Sequence, residues 1–326
     1  MDALWTRNSL EQALAVKASH DFAPVHGVSI DTRSLQPHDR FVALRGERDG
    51  HEFAQAAFDK GAVAALVTRP LGLGPEVIVP DALKGLEQLG VFARNRAPAN
   101  RVAVTGSVGK TSVTRAVEAG LRLAGRAHAS VKSYNNHIGV PLTLARMPAD
   151  TMRAVFEIGM NHAGEIGPLA RMVMPHAVAI TTVGPVHIEN FPDGEAGVAL
   201  AKAEIFEGLE PGGVAVLNAD DPLVRAMRRR CSLPPSTRSA RPRATRGWGS
   251  SIARRTVSKP SPGKATLPRN TSLAPGTLVM RPATSPPVTD SANPRLHPRR
   301  RSRSSTTDSI VSSSTPNTWS PRMPRM

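Results

Sequence analysis

The chain of 326 residues contains one cysteine, Cys231, so no disulfide can close within it. It has no run of about 18 apolar residues, and no transmembrane helix is expected. Its start, "MDALWTRNSLEQALAV", lacks the long apolar core of a secretory signal. These absences point to a soluble, cytoplasmic protein. Acidic residues are nearly missing from one part only. Residues 229–326 hold 19 Lys and Arg against 2 Asp and Glu, a net charge of +17, whereas residues 1–228 sum to −1. The formal charge of +16 therefore says nothing about the first two thirds of the chain.

The same last 98 residues also lack Phe and Tyr and carry 18 Ser and 15 Pro. Runs such as "HPRRRSRSS" and "TSPPVTDSANP" follow neither a helical nor a strand period. Such a segment buries too little apolar surface to offset its ordering entropy, and disorder is expected over 229–326. Two readings of it remain open. It is a basic tail for an anionic partner such as nucleic acid, or it is a stretch without selected sequence, as from a coding frame shifted near residue 228. The break falls inside an α/β pattern and the Arg/Pro/Ser bias resembles a GC-rich gene read out of frame; both features favour the second and make nucleic acid an unlikely partner.

What is present in 1–228 is strand–helix alternation. "LWTRNSLEQALAV" has Ser9 as a cap signal ahead of Leu10, Ala13 and Leu14. "RFVALRG" (40–46) is a short strand. A helix ending at Gly61 precedes a buried strand over 62–68, and "LKGLEQLGVFARNRA" is a helix closed by Pro98. A second unit starts at Arg101 with the strand "RVAVTG" and a helix over 112–123. "RAVFEIGM" (153–160), "HAVAITTVG" (176–184) and "GVAVLNADD" (213–221) are continuous apolar strands, as in a parallel sheet covered on both faces. The pattern predicts an α/β chain with a domain at 1–98 and an incomplete doubly wound domain at 99–228.

At the junction of strand and helix stands "VAVTGSVGKTSVTRAV" (102–117). Gly106 and Gly109 allow a tight path in which backbone N–H groups and a helix N-terminus face an anion. Lys110 offers a cation to the β/γ-phosphates and Thr111 a hydroxyl to Mg²⁺. Thr105, Gly106, Ser107, Gly109, Lys110 and Thr111 are the candidate ATP-binding residues. The general phosphate-loop pattern asks for a glycine where Val104 stands.

That departure fits a family. "TGSVGKTS" (105–112) resembles the shorter loop of the Mur ligase superfamily, the ATP-dependent amide-forming ligases of peptidoglycan synthesis. "NNHIGVPLTLARM" (135–147), the block 156–191, "AKAEIFEGL" (201–209) and "LNADDP" (217–222) resemble one branch, the UDP-N-acetylmuramoyl-tripeptide–D-alanyl-D-alanine ligases of the MurF type. Residues 31–67 are similar to that branch's UDP-sugar-binding domain. Ligases that add a single amino acid carry other residues in "NNHIGVPLTL" and "EIGMNHAGEI".

The resemblance implies a reaction and roles. ATP phosphorylates the terminal carboxylate of UDP-MurNAc-tripeptide, and the amine of D-Ala-D-Ala attacks the acyl phosphate. Lys110 would hold the β/γ-phosphates, Thr111 and Glu157 one Mg²⁺, and His187 a second. Lys202 matches a lysine that is carbamylated in these ligases. Asn135 and Asn136 would approach substrate or γ-phosphate, though a turn-forming pair is the other reading. Asp31, Thr32 and Arg33 resemble an element beside the uridine site. Taken alone, Glu157 is a charged residue at a strand end, Lys202 a solvated helix lysine, and Asn218 and Asp221 turn residues. A monomer is expected.

The resemblance covers 1–228 and stops there. The family's third domain, which binds the incoming amine and closes over ATP, has no recognisable counterpart in 229–326. An active site that works by closure needs both walls, so impaired ligation is expected. The competing expectation is a non-catalytic nucleotide-binding protein with a nucleic-acid-binding tail.

Overall fold

The computed structural model describes residues 3–131, 133–231 and 277–280, all within one compact unit, Met1–Pro282. Helix α1 (Arg7–Leu14) starts at Thr6, not at the expected Ser9. Thr6 caps the Ser9 N–H, and Ser9 returns its hydroxyl to the Thr6 N–H, a reciprocal capping box.

A first sheet is four parallel strands in the order β1 (Gly27–Ser29), β2 (Asp39–Val42), β3 (Ala64–Val67) and β4 (Glu76–Ile78). Between β2 and β3 lies α2 (Ala54–Asp59), stopped where Gly61 adopts φ +90°. After β4, Asp81 caps α3 (Ala82–Arg96) through the N–H groups of Leu83 and Lys84. β3, "AALV", is buried at every position, as its unbroken apolar run requires.

The second sheet collects β5 (Asn100–Thr105), β6 (Ala127–Ala129), β7 (Arg153–Glu157), β8 (Ala177–Ile180), β9 (Val214–Asn218) and β10 (Thr277–Met280). All pair in parallel, in the order β10-β9-β8-β5-β7-β6. The helices between them are α4 (Lys110–Leu123), α5 (Gly139–Ala145), α6 (Ile166–Val173), α7 (Gly194–Ala203) and α8 (Pro222–Ala226). The chain leaves β5 toward β6 and β7 on one side and places β8 and β9 on the other. The order therefore reverses at β5, and a crevice opens beyond the carboxyl ends of β5, β7 and β8.

β10 changes one expectation. Disorder was expected over all of 229–326, yet 277–280 pair with β9, Thr277 opposite Ala215 and Met280 opposite Asn218. "TLVM" is a short apolar run in a polar segment, and a parallel edge offers it hydrogen bonds that local composition does not reveal. A short helix α9 (Arg228–Cys231) likewise crosses the expected boundary. The rest of 229–326 lies outside the described residues.

Helix α5 joins the core of the first sheet. Leu142 and Ala145 of α5 are buried with Trp5, Leu86 and Leu89. The Trp5 indole donates to the Ala145 carbonyl at 2.9 Å, and the Arg146 Nε to the Val28 carbonyl at 2.6 Å. Burying each such large side chain stabilises the fold by about 1.5–3 kcal/mol. The first sheet is thereby fixed against α5.

Candidate active site

Gly109 is the N-cap of α4 with φ +83°, and Gly106 has φ +150°. A Cβ on Gly106 would lie 3.0 Å from the Thr181 Cβ and 3.1 Å from the Thr182 N, so only glycine allows this approach. The Ser107 N–H donates to the Thr182 carbonyl at 2.8 Å and the Val108 N–H to the Thr182 Oγ1 at 3.2 Å. Those two donors are thus turned toward the β8 loop. The N–H groups left without an intrahelical acceptor are those of the first turn of α4, beginning with Gly109, Lys110 and Thr111. Thr105 is wholly buried and lines neither cavity of the crevice; it holds the loop's base.

Lys110 bends back over the loop, its Nζ donating to the carbonyls of Gly106 at 2.9 Å and Ser107 at 3.3 Å. Burial lowers its pKa, and Glu157 opposes that shift.

Glu157 ends β7 and is 2% exposed. Both of its oxygens are engaged. Thr111 Oγ1 donates to Oε2 and Asn135 Nδ2 to Oε1, each at 2.8 Å. A buried carboxylate satisfied by two neutral donors retains lone pairs for a cation. Asn135 is held in turn: its carbonyl accepts from the Gly159 N–H at 2.8 Å. Asn136 behaves as a turn residue, its Oδ1 accepting from Ile138 N and Gly139 N at the start of α5. Glu157, Thr111 and Asn135, together with Ser112 and Ser133, line a cavity of about 280 Å³.

A second cavity, about 130 Å³, adjoins it and is lined by Lys110, Lys202, His187, Asn135, Asn136 and Glu165 among others. Lys202, on α7, is 4% exposed. Burial, helped by the neighbouring charge of Lys110, pushes its pKa down to about 8. A buried and a half-buried ammonium group on one cavity repel each other unless an anion sits between them. His187 adopts φ +59° at the start of a 3₁₀ turn, Ile188–Asn190, which places a strained, half-exposed imidazole at the mouth. That turn is tied down by Asn190 Nδ2, which donates to the Asn161 carbonyl at 3.1 Å.

The sequence did not single out Asn161 and Glu165 as site residues, although both stand in the quoted block 156–191. Glu165 accepts from the Asn161 N–H at 2.8 Å and pairs with the His162 ring at 3.1 Å. Burial opposes its ionisation, but these donors outweigh it and hold the carboxyl below its usual range. Periodicity gave no cue here, because the segment between β7 and α6 has none.

Asp31, Thr32 and Arg33 form a turn beyond β1. Asp31 Oδ1 accepts from the Arg33 N–H at 2.9 Å, and Arg33 Nη2 pairs with Oδ2 at 2.7 Å. The Thr32 carbonyl accepts from Lys60 at 2.8 Å. The Asp31 hydrogen bond raises the Arg33 pKa, and Tyr134, next to Asn135, contributes to it.

The donor set at Glu157 suits a hard cation. Thr111 Oγ1 and Glu157 Oε2 are oxygens at hydrogen-bond distance, and Mg²⁺ takes one or two such protein ligands with phosphate and water for the rest. His187 brings a single nitrogen, and no group of three or more His, Cys, Asp or Glu that could hold a metal occurs among the described residues.

Comparison with known proteins agrees with this geometry. The Mur ligase middle domain matches residues 104–250, extending 22 residues past the expected limit at 228, and the Mur ligase family catalytic domain matches 24–129. The chain is 40% identical over 206 residues to the UDP-N-acetylmuramoyl-tripeptide–D-alanyl-D-alanine ligase of Bacillus subtilis, covering 62% of this chain and 45% of that protein. It is 44% identical over 196 residues to the ligase of the same name from Escherichia coli, covering 60% and 43%. A crystal structure of MurF from Acinetobacter baumannii superimposes with a TM-score of 0.62 at 31% identity, covering 69% of this chain and 51% of that one. The matched segment thus spans about half the length of these relatives. No described helix is long and apolar enough to cross a membrane. Residues 24–250, over which the two models join, belong to the Mur ligase family.

Proposed function

We propose that this chain carries the nucleotide and UDP-substrate half of a cytoplasmic, ATP-dependent amide ligase of peptidoglycan precursor synthesis. The substrates are UDP-MurNAc-tripeptide and D-Ala-D-Ala. One observation carries the reading: the phosphate loop, the Thr111–Glu157–Asn135 trio, the half-buried Lys110 and the buried Lys202 meet in one crevice at the strand ends. The ligases of known name that share this segment support the substrate assignment, and a more distant MurF structure was solved with ADP.

Residues 1–98 hold the UDP-linked substrate, with Asp31, Thr32 and Arg33 at the uridine end, and 99–228 hold ATP. The first-turn N–H groups of α4 and Lys110 bind the β- and γ-phosphates. Thr111 and Glu157 would hold one Mg²⁺; His187 would stand at a second, and carbamylation of Lys202 would supply it with oxygen ligands. The metal ions contribute positive charge against the phosphoryl oxygens. Lys110 stabilises the same charge as the γ-phosphoryl passes to the substrate carboxylate, and Asn135 keeps Glu157 in place meanwhile. The acyl phosphate is then attacked by the dipeptide amine, giving amide and phosphate. No described residue is assigned to the dipeptide, and slow ligation is part of the reading.

The test is calorimetric titration of the full chain with Mg²⁺–ADP and with UDP-MurNAc-tripeptide, beside a ligation assay containing D-Ala-D-Ala. Binding of both ligands with little amide formed is expected. Failure to bind either nucleotide would refute the assignment.

A further inference from the structure

The phosphate loop does not hold its own shape; it is shaped by the segment 181–184 beyond β8. Thr182 accepts from the N–H groups of Ser107 and Val108, while Thr181 Oγ1 donates to the Val108 carbonyl at 2.6 Å. The Ser107 hydroxyl accepts from the Gly184 N–H at 2.9 Å and lies 3.1 Å from the Gly184 carbonyl. Segment 181–184 is itself held from β9 and the start of α8. Asn218 Nδ2 donates to the Thr181 carbonyl at 2.9 Å. Asp221 Oδ2 accepts from the Val183 N–H at 2.7 Å, while its Oδ1 caps α8 through the N–H groups of Leu223 and Val224 at 2.9 and 3.0 Å.

We infer that Asp221, seconded by Asn218, is a positioning residue for the phosphate site: its carboxylate uses one oxygen to anchor α8 and the other to hold segment 181–184 against the phosphate loop. Neither residue lines a cavity of the crevice, and both reach the phosphate loop through segment 181–184. A carboxylate is required because two acceptors must point two ways. An asparagine has one acceptor, and its NH₂ would meet an N–H. A helix cap alone accepts Asn, Ser or Asp nearly equally, so the second role is what distinguishes Asp221.

The inference rests on the proposed nucleotide site and is tested with the full chain. Asp221→Asn and Asp221→Ser each keep a cap on α8 and lose the bond to Val183. Asp81→Asn is the control, since Asp81 caps α3 with the same geometry and holds nothing else in the site. The measurements are the Kd for Mg²⁺–ADP and the thermal midpoint. Both Asp221 variants should bind Mg²⁺–ADP about tenfold more weakly, the loss of one charge-assisted bond, with a midpoint that leaves them folded at the assay temperature, whereas Asp81→Asn should leave the Kd unchanged. Thr182→Val, which breaks the next link, should weaken binding similarly and add little to Asp221→Asn. An unchanged Kd in soluble Asp221→Asn or Asp221→Ser, or full additivity with Thr182→Val, overturns the inference. Absence of Mg²⁺–ADP binding by the unsubstituted chain overturns the nucleotide site itself, and the inference with it.

Discussion

The Thr111 hydroxyl donates to the Glu157 carboxylate at 2.8 Å, across 46 positions of sequence. Thr111 opens α4 and Glu157 closes β7, and parallel pairing of β5 with β7 brings Val104 opposite Glu157. The phosphate loop and the Glu157 carboxylate are thus adjacent because two neighbouring strands end at the same height.

Replacing Glu157 by Gln preserves shape but removes the charge that a divalent cation needs. Mg²⁺ should then cease to strengthen ADP binding, and ATP turnover should fall about 10²-fold. Titration with ADP in Mg²⁺ and in EDTA checks this: the two affinities should converge in Glu157→Gln and differ in the unsubstituted chain.

Gly159 stands where a Cβ would come within 2.9 Å of the Asn135 side chain. Gly159→Ala should displace Asn135 from Glu157 and weaken Mg²⁺–ADP binding severalfold. Gly120→Ala is the opposite case. That position is in α4 with open space around it, and alanine there should stabilise by about 0.5–1 kcal/mol. Equal effects on nucleotide affinity would contradict the role given to Asn135.

Lys202 has an amine pushed down to about 8 from 10.5. Between these values the unfolded chain holds a proton that the folded one has released, so this residue makes stability rise with pH from about 8 to 10.5. At pH 7 the folded protein carries the charge at a cost of about 3 kcal/mol. Lys202→Met should therefore raise the denaturation midpoint at pH 7 in CO₂-free buffer and abolish the alkaline rise. Phosphoryl transfer should fall about 10²-fold in the same variant.

His128 is pushed down to about 4, chiefly by burial, with the hydrogen bond to the Thr143 carbonyl opposing. The unfolded ring takes up its proton near 6.5 and the folded ring near 4. Stability is therefore lost as pH falls from 6.5 to about 4, by at most ~3 kcal/mol. Urea unfolding at pH 5 and pH 7 should show a smaller difference in His128→Gln.

Arg40 is wholly buried on β2, and none of its three guanidinium nitrogens has a hydrogen-bond partner among the described residues. Burial pushes its pKa down to about 9. Arg40→Met should stabilise the chain by about 1–4 kcal/mol, read from chemical denaturation. A loss of stability would mean that the guanidinium finds a partner.

The strands with unbroken apolar runs, β3, β5 and β7, were legible because a doubly covered parallel sheet needs such runs. The phosphate loop was legible because glycine, lysine and threonine must follow one another along the chain to make it. β1, β4 and β6 were missed, being three residues each and too short to show a period. β10 was missed because its four residues are too short an apolar run to stand out in a polar segment.

Sequence alone determined which residue types were on hand: the loop 105–111, the acid at 157, the lysine at 202 and the histidine at 187. Only tertiary structure decided which of them meet. The reversal of strand order at β5 brings Glu157 to Thr111 and Lys202 to Lys110. It also turns Asp221, indistinguishable in sequence from any turn aspartate, toward the Val183 N–H. Hydrogen bonds of that kind depend on strand register and on where each strand ends, which pairing across the sheet sets and no local pattern records.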